Sequence, residues 1–248
     1  MTRLLASVTS VEEAGIVLGA GADIIDLKDP ARGALGALSL ARIQAIVNAV
    51  AGQRPVSATV GDLPADPGVL SQAVTATAAT GVDFIKVGLF GPEYFQDCLN
   101  VLARRAAAGL RLVAVLFADR QSDLDVVAQL AEAGFAGVML DTADKASGGL
   151  RQHLSLPQLR AFVTGAKEWR LLTGLAGSLR IDDIAPLLAT DADYLGFRTA
   201  LCGGQSRTAG INPAAVAAVR DRLPRMGSHD AIGRKSHGNP YAAGMDLA

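Results

Sequence analysis

The chain has 248 residues, a length that suits one large domain, and half of the residues are hydrophobic. Its 23 Lys and Arg side chains nearly balance 24 Asp and Glu side chains, which argues against electrostatic binding to nucleic acid or to a membrane. Two cysteines and three scattered histidines argue against a disulfide framework and a metal site, and neither a metal nor a cofactor is expected.

Short strand-like segments alternate with longer segments of helical patterning. Strands are predicted at 3–8, 23–28, 55–60, 83–88, 110–117, 136–141, 170–177 and 193–198. Helices are predicted at 11–20, 39–50, 67–80, 92–107, 122–133, 155–168, 180–189 and 212–222. Ser10, followed by Glu13, and Ser155 are plausible helix caps. Eight strands that alternate with eight helices predict parallel pairing through right-handed crossovers.

The even-numbered strands share a motif, in which a short link precedes a buried strand that ends in a charged residue. The four copies read GADIIDLK, GVDFIKVG, GFAGVMLD and ATDADYLGFR. A doubly wound open sheet is the competing architecture. Eight repeating units, and no Gly-x-Gly-x-x-Gly after the first strand, favour a closed (β/α)8 TIM barrel. We predict one domain over residues 1–223.

Targeting and anchoring segments are not found in the sequence. No signal peptide opens it, and no apolar run reaches the roughly 18–20 residues that a membrane helix needs. A reduced, soluble, cytoplasmic protein is therefore expected. Residues 224–248 are rich in Gly, Pro, Ser and His without periodicity, so a flexible tail is predicted there.

Charged residues stand at the ends of the even-numbered strands. Alternation along each strand predicts that Asp26, Lys28, Lys86, Asp141 and Arg198 point into the barrel, because their neighbours in sequence are the apolar residues that should meet the helices. In such a barrel, one layer of side chains comes from alternate strands. The sequence therefore predicts one charged cluster at the carboxyl ends of the strands.

Two interpretations of this cluster compete. The lysines could be structural, each paired with Asp26 or Asp141. Burying two like charges together is costly, however, which favours a functional site. An amine whose pKa is lowered by a second ammonium and by apolar walls can attack a carbonyl and form a Schiff base. Lys28 would be this amine, Lys86 the proton acceptor or the neighbouring cation, and the aspartates would orient the lysines or move protons.

Glycine-rich loops after strands seven and eight predict a phosphate site, because this fold binds phosphate at those positions. Gly177 and Ser178 lie in the first loop, and Gly203 and Gly204 lie in the second. Arg198 could add charge-assisted hydrogen bonds to the phosphate.

Three further residues are candidate phosphate or substrate contacts. Arg207 follows strand eight and could also bind phosphate. Arg32, in the loop directly after Lys28, could belong to a second anion site or to a covering loop. Thr59 is expected to point inward, as a substrate contact or as a core residue.

Six motifs, in this order, resemble those of the (5-formylfuran-3-yl)methyl phosphate synthase family, also called 4-(hydroxymethyl)-2-furancarboxaldehyde-phosphate synthase. They are DIIDLKDPARGALGA, SATVGDLP, DFIKVGLFG, MLDTADK, GLAGSL and GFRTALCGG. The resemblance covers about residues 1–222. It implies condensation of two molecules of glyceraldehyde 3-phosphate into a phosphorylated furan aldehyde, with release of phosphate and water, for methanofuran or methylofuran synthesis.

The resemblance also implies roles for individual residues. The Schiff-base lysine of the family's D-x-K-x-P motif falls on Lys28, and its aspartate falls on Asp26. The proton-acceptor lysine falls on Lys86, and the L-D-T-A motif with its following lysine falls on Asp141 and Lys145. The loop after strand five is shorter than in the archaeal pattern, and the tail is additional.

Two alternative functions stay open on the sequence. One is a class I aldolase that uses the same lysine and phosphate loops on another phosphorylated sugar. The other is a barrel that binds a phosphorylated metabolite without catalysis. Phosphorylated trioses are the expected partners in the leading interpretation, and association into a homo-oligomer stays open.

Overall fold

Eight parallel strands pair in sequence order, and the eighth closes the sheet on the first. The computed structural model describes residues 1–88, 95–120, 126–144, 147–203 and 206–224, and the closed sheet lies within these ranges. The strands are β1 (Arg3–Val8), β2 (Ile24–Leu27), β3 (Val56–Thr59), β4 (Phe84–Gly88), β5 (Leu112–Phe117), β6 (Gly137–Asp141), β7 (Leu172–Leu175) and β8 (Tyr194–Phe197). The predicted TIM barrel is confirmed, and the open sheet is wrong.

Helices follow the strands and surround the barrel. Within the described ranges they are α1 (Val11–Gly19), α2 (Leu40–Val50), α3 (Pro67–Ala78), α4 (Phe95–Ala107), α5 (Val126–Glu132), α6 (Leu150–His153), α7 (Leu156–Glu168), α8 (Ile184–Leu188) and α9 (Pro213–Arg222). Ser10 caps α1 by accepting a hydrogen bond from the Glu13 amide. None of these helices combines the length and the apolar character that crossing a membrane requires.

The structure adds one short helix and shortens another. α6 was not predicted, because its single turn is too short to show a helical period in the sequence. The helix predicted at 180–189 is divided into a 3-10 turn at Ile181–Asp183 and the five-residue α8. Of the predicted tail, all residues after Pro224 lie outside the described ranges.

Two cores lie on the two faces of the sheet. Ile25 and Leu27 of β2 belong to the large core between sheet and helices, whereas Ile24 contacts Leu5 and Tyr194 inside the barrel. A second interior cluster lies nearer the carboxyl ends of the strands and consists of Ala34, Leu35, Phe84, Val113, Val115, Phe117, Met139 and Ala176. The polar residues of β2 and β4 therefore lie inside the barrel, as strand alternation predicts.

Small residues on β7 and β8 leave room inside the barrel. A Cβ atom added to Gly174 would lie 3.1 Å from Met139 Cγ and 3.2 Å from Tyr194 Cδ2. One added to Gly196 would lie 3.0 Å from Met139 Cε. Met139 and Tyr194 therefore fill the space that these two glycines leave, and the barrel interior is tightly packed below the site.

Three of the repeated motifs carry an aspartate directly before the strand, at the amino-terminal end of the barrel. Each carboxylate accepts a hydrogen bond from a backbone amide of the preceding or neighbouring strand, which fixes the strand register where the chain enters the barrel. The pairs, each at 2.8 Å, are Asp23 with the Leu4 amide, Asp83 with the Val56 amide and Asp193 with the Thr173 amide.

Candidate active site

A cleft opens at the carboxyl ends of the strands, with an empty volume of about 480 Å³, part of it open to solvent. Six strands, or the residues directly after them, contribute to its walls. The polar and backbone contributions come from Ser7, Asp26, Lys28, Lys86, Asp141, Gly177, Ser178, Arg198, Thr199 and Arg207. The two lysines and two aspartates that strand alternation predicts to point inward therefore line one cleft.

Asp26 and Lys86 form an ion pair that is almost completely buried. Nζ of Lys86 lies 2.6 Å from Oδ1 of Asp26, and the two side chains are only 4% and 1% exposed. Asp26 also accepts hydrogen bonds from the hydroxyl groups of Ser7 at 2.8 Å and Ser57 at 2.7 Å. Three donors from β1, β3 and β4 therefore converge on one carboxylate of β2, which stabilises its charged form.

The environment shifts the pKa values of both members of this pair downward. Burial alone raises the pKa of Asp26, but the charges of Lys86 and Lys28 outweigh burial and hold that pKa below its usual 3.8. Burial lowers the pKa of Lys86, Asp26 opposes this shift and Lys28 reinforces it, so the net pKa lies below the usual 10.5. Asp26 therefore stays anionic, and Lys86 loses its proton more readily than an ordinary lysine.

Lys28 lies one residue beyond the end of β2, and its amine pairs with a carboxylate across the barrel. Its backbone N–H donates to the Val8 carbonyl at 3.2 Å, which extends the hydrogen bonding of β2 to this residue. Its Nζ lies 3.0 Å from Oδ2 of Asp141, the last residue of β6. The other oxygen of Asp141 accepts a hydrogen bond from the Thr142 amide at 2.7 Å. Backbone and carboxylate together fix the position of the Lys28 amine.

The loop after β7 presents backbone amides to the cleft. Gly177 and Ser178 have φ angles of 106° and 51°, so both adopt left-handed conformations. A Cβ atom on Gly177 would lie 3.0 Å from Thr142 Cγ2, so the position also requires glycine for space. The amides of Gly177, Ser178 and Leu179 donate to no acceptor in the described part of the chain. Amides that line a cleft and have no acceptor among the described residues form a suitable site for an anion.

Arg198 is anchored by its neighbours. Its guanidinium forms a bidentate ion pair with Glu13 of α1, at 2.6 and 3.0 Å. It also donates to the carbonyl groups of Ser7, Arg207 and Ala209, at 3.2, 2.8 and 2.8 Å. These contacts use all five N–H donors of the side chain. The geometry therefore favours a structural role for Arg198 over the phosphate contact that we predicted.

The structure places three other predicted contacts outside the cleft walls. Arg32 is exposed and donates to the Ala37 carbonyl at 3.3 Å. Thr59 is completely buried and donates to the Gly36 carbonyl at 3.0 Å, so it holds the loop after β2 against the barrel. Gly203, with a φ of 72°, ends the 3-10 turn at Thr199–Cys202. Of the remaining candidates, Lys145 and Gly204 lie outside the described residues.

Two supporting residues are not predicted by the sequence patterns. Ser7 is a polar residue in the otherwise apolar second half of β1, and strand alternation would have placed it inside the barrel. The sequence predicts Glu13 only as part of a helix cap. Its side chain does accept hydrogen bonds from the Thr9 amide and hydroxyl, but its pairing with Arg198 joins residues 185 positions apart. Such a long-range contact leaves no local signal in the sequence.

The closed barrel and the charged cleft at the carboxyl ends of its strands define a TIM-barrel enzyme. A family model described as 4-HFC-P synthase matches residues 4–220. The chain belongs to this family, which confirms the membership that the six motifs predict.

Individual relatives agree with the family match. A protein of Methylorubrum extorquens is 45% identical over 215 residues, which cover 87% of this chain and 89% of that protein. The (5-formylfuran-3-yl)methyl phosphate synthase of Methanopyrus kandleri is 39% identical over 234 residues, which cover 90% of this chain and 96% of that protein.

Solved structures of lower sequence identity share the fold. A 3-hexulose-6-phosphate synthase aligns with a TM-score of 0.65 and 20% identity, and the alignment covers 90% of this chain and all of that chain. A thiamine phosphate pyrophosphorylase from Pyrococcus furiosus aligns with a TM-score of 0.61 and 13% identity, with coverage of 89% and 94%. At this identity, the likeness supports the TIM barrel alone.

Proposed function

We propose that this protein condenses two molecules of glyceraldehyde 3-phosphate into (5-formylfuran-3-yl)methyl phosphate, through an imine at Lys28. The product would serve methanofuran or methylofuran biosynthesis. One observation carries the proposal: two buried lysines, each paired with its own aspartate, share one cleft with the free amides of the loop after β7. Family membership supports the product, and the chemistry of the cleft supports the route.

The loop after β7 would hold the phosphate of the first triose. Its amides at Gly177, Ser178 and Leu179 supply hydrogen-bond donors, and Lys28 lines the same cleft. A bound phosphate would keep the aldehyde carbon in reach of the lysine amines. Such positioning replaces a bimolecular encounter with a reaction inside one complex.

Lys28 would attack the aldehyde carbon of the bound triose. The amine nitrogen forms the new bond to carbon, the carbonyl oxygen leaves as water, and a protonated imine results. Asp141, which accepts a hydrogen bond from Lys28 Nζ, would orient the amine and take up its proton during attack. The positive imine would then withdraw electrons from the adjacent carbon.

Lys86 would remove the proton from that adjacent carbon. Its lowered pKa makes the neutral amine accessible, and Asp26 fixes its position through the 2.6 Å contact. Loss of the proton converts the imine to an enamine, a carbanion equivalent that supplies the electron pair for the new carbon–carbon bond to the second triose. Ring closure and eliminations then complete the furan, and the two trioses lose one phosphate and two waters in total.

Incubation of the purified protein with glyceraldehyde 3-phosphate tests this function. We expect release of inorganic phosphate together with a new ultraviolet absorbance from the furan aldehyde. Phosphate release and absorbance should both disappear in Lys28→Ala. If the wild-type protein produces neither signal, the proposal is wrong.

Borohydride reduction tests the imine separately. In the presence of glyceraldehyde 3-phosphate, wild-type protein should gain the mass of one reduced triose adduct, and peptide mapping should place it on Lys28. Adduct formation without furan absorbance would support a class I aldolase instead. Absence of an adduct despite phosphate binding would support a non-catalytic binding protein.

The variants Lys28→Ala and Lys86→Ala then assign the two lysines. We expect Lys28→Ala to gain no adduct. We expect Lys86→Ala to gain the adduct but to form no furan, because imine formation requires the Lys28 amine whereas enamine formation requires a base. An adduct on Lys86 in the wild-type protein would reverse the assignment.

A further inference from the structure

Two arginines after β8 line the cleft, but they differ in how many guanidinium N–H donors their protein contacts leave unused. All five N–H donors of Arg198 bind protein acceptors. Nε of Arg207 donates to the Pro30 carbonyl at 3.0 Å, and its Nη2 donates to the carbonyls of Pro30 and of Gly33, the latter at 2.7 Å. In the part of the chain that the structure describes, Nη1 of Arg207 has no acceptor, so two N–H donors are left.

Contacts with Arg198 help to fix the position of Arg207. Its carbonyl accepts the hydrogen bond from Nε of Arg198, whose guanidinium is anchored to Glu13. The anchored Arg198 side chain therefore holds the Arg207 carbonyl, and the Arg207 side chain reaches the wall of the cleft. Arg207 is half-buried and lines the cleft together with Lys28, Gly177 and Ser178.

The partners of Arg207 belong to the segment directly behind Lys28, residues 29–37, which we call the β2 loop. The loop closes on itself through the Asp29 amide and the Gly36 carbonyl, at 2.7 Å. Its Leu35 is 1% exposed and packs in the interior cluster of the barrel. The Leu35 amide donates to Asp62 at 3.0 Å. Pro30 of the loop forms part of the cleft wall beside Lys28.

We propose that Arg207 is the cation that recognises the substrate phosphate, and that the same guanidinium holds the β2 loop against the bound phosphate. The inference rests on the proposed function for the identity of the substrate, and on the donor count for the residue. Nη1 would bind the phosphate, while Nε and Nη2 keep their carbonyl partners. Phosphate binding is thereby linked to the wall of the cleft next to Lys28.

This arrangement makes Arg207 a specificity-determining residue. A phosphorylated aldehyde gains a charge-assisted contact, and an aldehyde without phosphate gains none. A residue that merely held the loop would affect both aldehydes equally. The ratio between the two aldehydes therefore separates recognition from loop support.

Titration with inorganic phosphate tests the binding contact without turnover. We expect Arg207→Gln to weaken the affinity by about tenfold to a hundredfold, the effect of losing one charged hydrogen bond. Arg222→Gln, which removes an exposed guanidinium at the end of α9, should bind phosphate as the wild-type protein does. Wild-type affinity in a folded Arg207→Gln variant would overturn the proposal.

Arg207→Lys covers the case in which the glutamine variant does not fold. Lysine keeps the charge, but its compact ammonium cannot reproduce the planar fork in which Nε and Nη2 bind the loop carbonyls while Nη1 is left for the phosphate. Phosphate affinity several-fold below that of the wild-type protein is expected, and unchanged affinity would overturn the proposal that one guanidinium makes both the loop and the phosphate contacts.

Imine trapping tests specificity. Trapping rates are measured with glyceraldehyde 3-phosphate and with glyceraldehyde for the wild-type protein and the folded variant. We expect the preference for the phosphorylated aldehyde to fall by at least about tenfold in the variant. An equal loss with both aldehydes would assign Arg207 to loop support alone. If no imine forms in the wild-type protein, the proposed function fails, whereas the phosphate titration still decides the role of Arg207.

Discussion

Lys28 and Asp141 form an ion pair across the barrel, with Nζ at the end of β2 lying 3.0 Å from Oδ2 at the end of β6. The side chains are 10% and 4% exposed, so the pair borders the cleft while little water reaches it. The amine is thereby held in one place, and the carboxylate stands next to the nitrogen from which a proton must leave. This relationship leads to the first prediction.

Asp141→Asn should slow imine formation by at least about tenfold, because the amide cannot accept the proton that Lys28 releases. The rate of borohydride trapping with glyceraldehyde 3-phosphate measures this effect. Asp191→Asn is the matched control, since it neutralises the aspartate of the exposed pair between Lys167 and Asp191. Trapping at the wild-type rate in Asp141→Asn would show that Asp141 has no part in the attack.

The lowered pKa of Lys86 predicts the pH dependence of turnover. Because the base is the neutral amine, turnover should rise with pH through a pKa that lies below the usual 10.5. Asp26 raises the pKa of Lys86, so Asp26→Asn should move this rise to lower pH. The pH profile of furan formation in the two proteins measures the shift. An unchanged midpoint in Asp26→Asn would mean that another group titrates.

Strand alternation predicts which side chains enter the barrel, because the period of two is a local property of the chain. It placed Asp26, Lys28 and Lys86 in the interior without any knowledge of pairing. It did not predict which carboxylate each lysine contacts. Lys28 pairs with Asp141 rather than with Asp26, which is two residues away in sequence. That choice depends on the stagger between strands of the closed barrel, which no single segment encodes.

Sequence patterns predict the roles of the arginines less well than they predict the positions of the lysines. Arg198 stands at the expected place for a phosphate contact, yet its donors are used by Glu13 and by three carbonyl groups. Arg32 stands in a glycine-rich loop and is exposed. The donor count of a guanidinium depends on contacts distant in sequence, so loop position alone could not separate these arginines from Arg207.

Asp26→Asn should also destabilise the fold by about 3–5 kcal/mol, because it leaves the Lys86 ammonium buried without its partner. Urea unfolding near neutral pH measures this loss. The double variant Asp26→Leu/Lys86→Met is the control, since it removes both charges and should recover most of the stability. A single variant as stable as the wild-type protein would contradict the prediction.

The same carboxylate predicts a pH dependence of stability. The pKa of Asp26 is lower in the folded protein than its usual 3.8, so its contribution is complete above that value and is lost as the pH falls through the folded pKa. The difference in unfolding free energy between wild-type protein and Asp26→Asn should therefore be constant near neutral pH and shrink below 3.8. Unfolding curves at a series of acidic pH values measure this difference in unfolding free energy. A difference that stays constant below pH 3.8 would show that Asp26 is not the responsible group.

Gly177→Ala should weaken both the fold and the binding of phosphate. The φ angle of 106° disfavours any side chain, and the added Cβ would approach Thr142 Cγ2 to 3.0 Å and its amide nitrogen to 3.1 Å. The strain should cost about 1–3 kcal/mol and displace the amides of the loop after β7. Titration with inorganic phosphate should then show a loss of about tenfold or more, if one charged hydrogen bond is lost.

Gly165→Ala in α7 is the matched control for this substitution. No atom lies within 4 Å of the position that its Cβ would occupy, so the alanine should stabilise the helix by about 0.5–1 kcal/mol and leave phosphate affinity unchanged. The comparison separates a local effect on the anion site from a general effect of adding a methyl group. Wild-type phosphate affinity in Gly177→Ala, at a reduced unfolding free energy, would show that the loop after β7 supports the barrel without binding the anion.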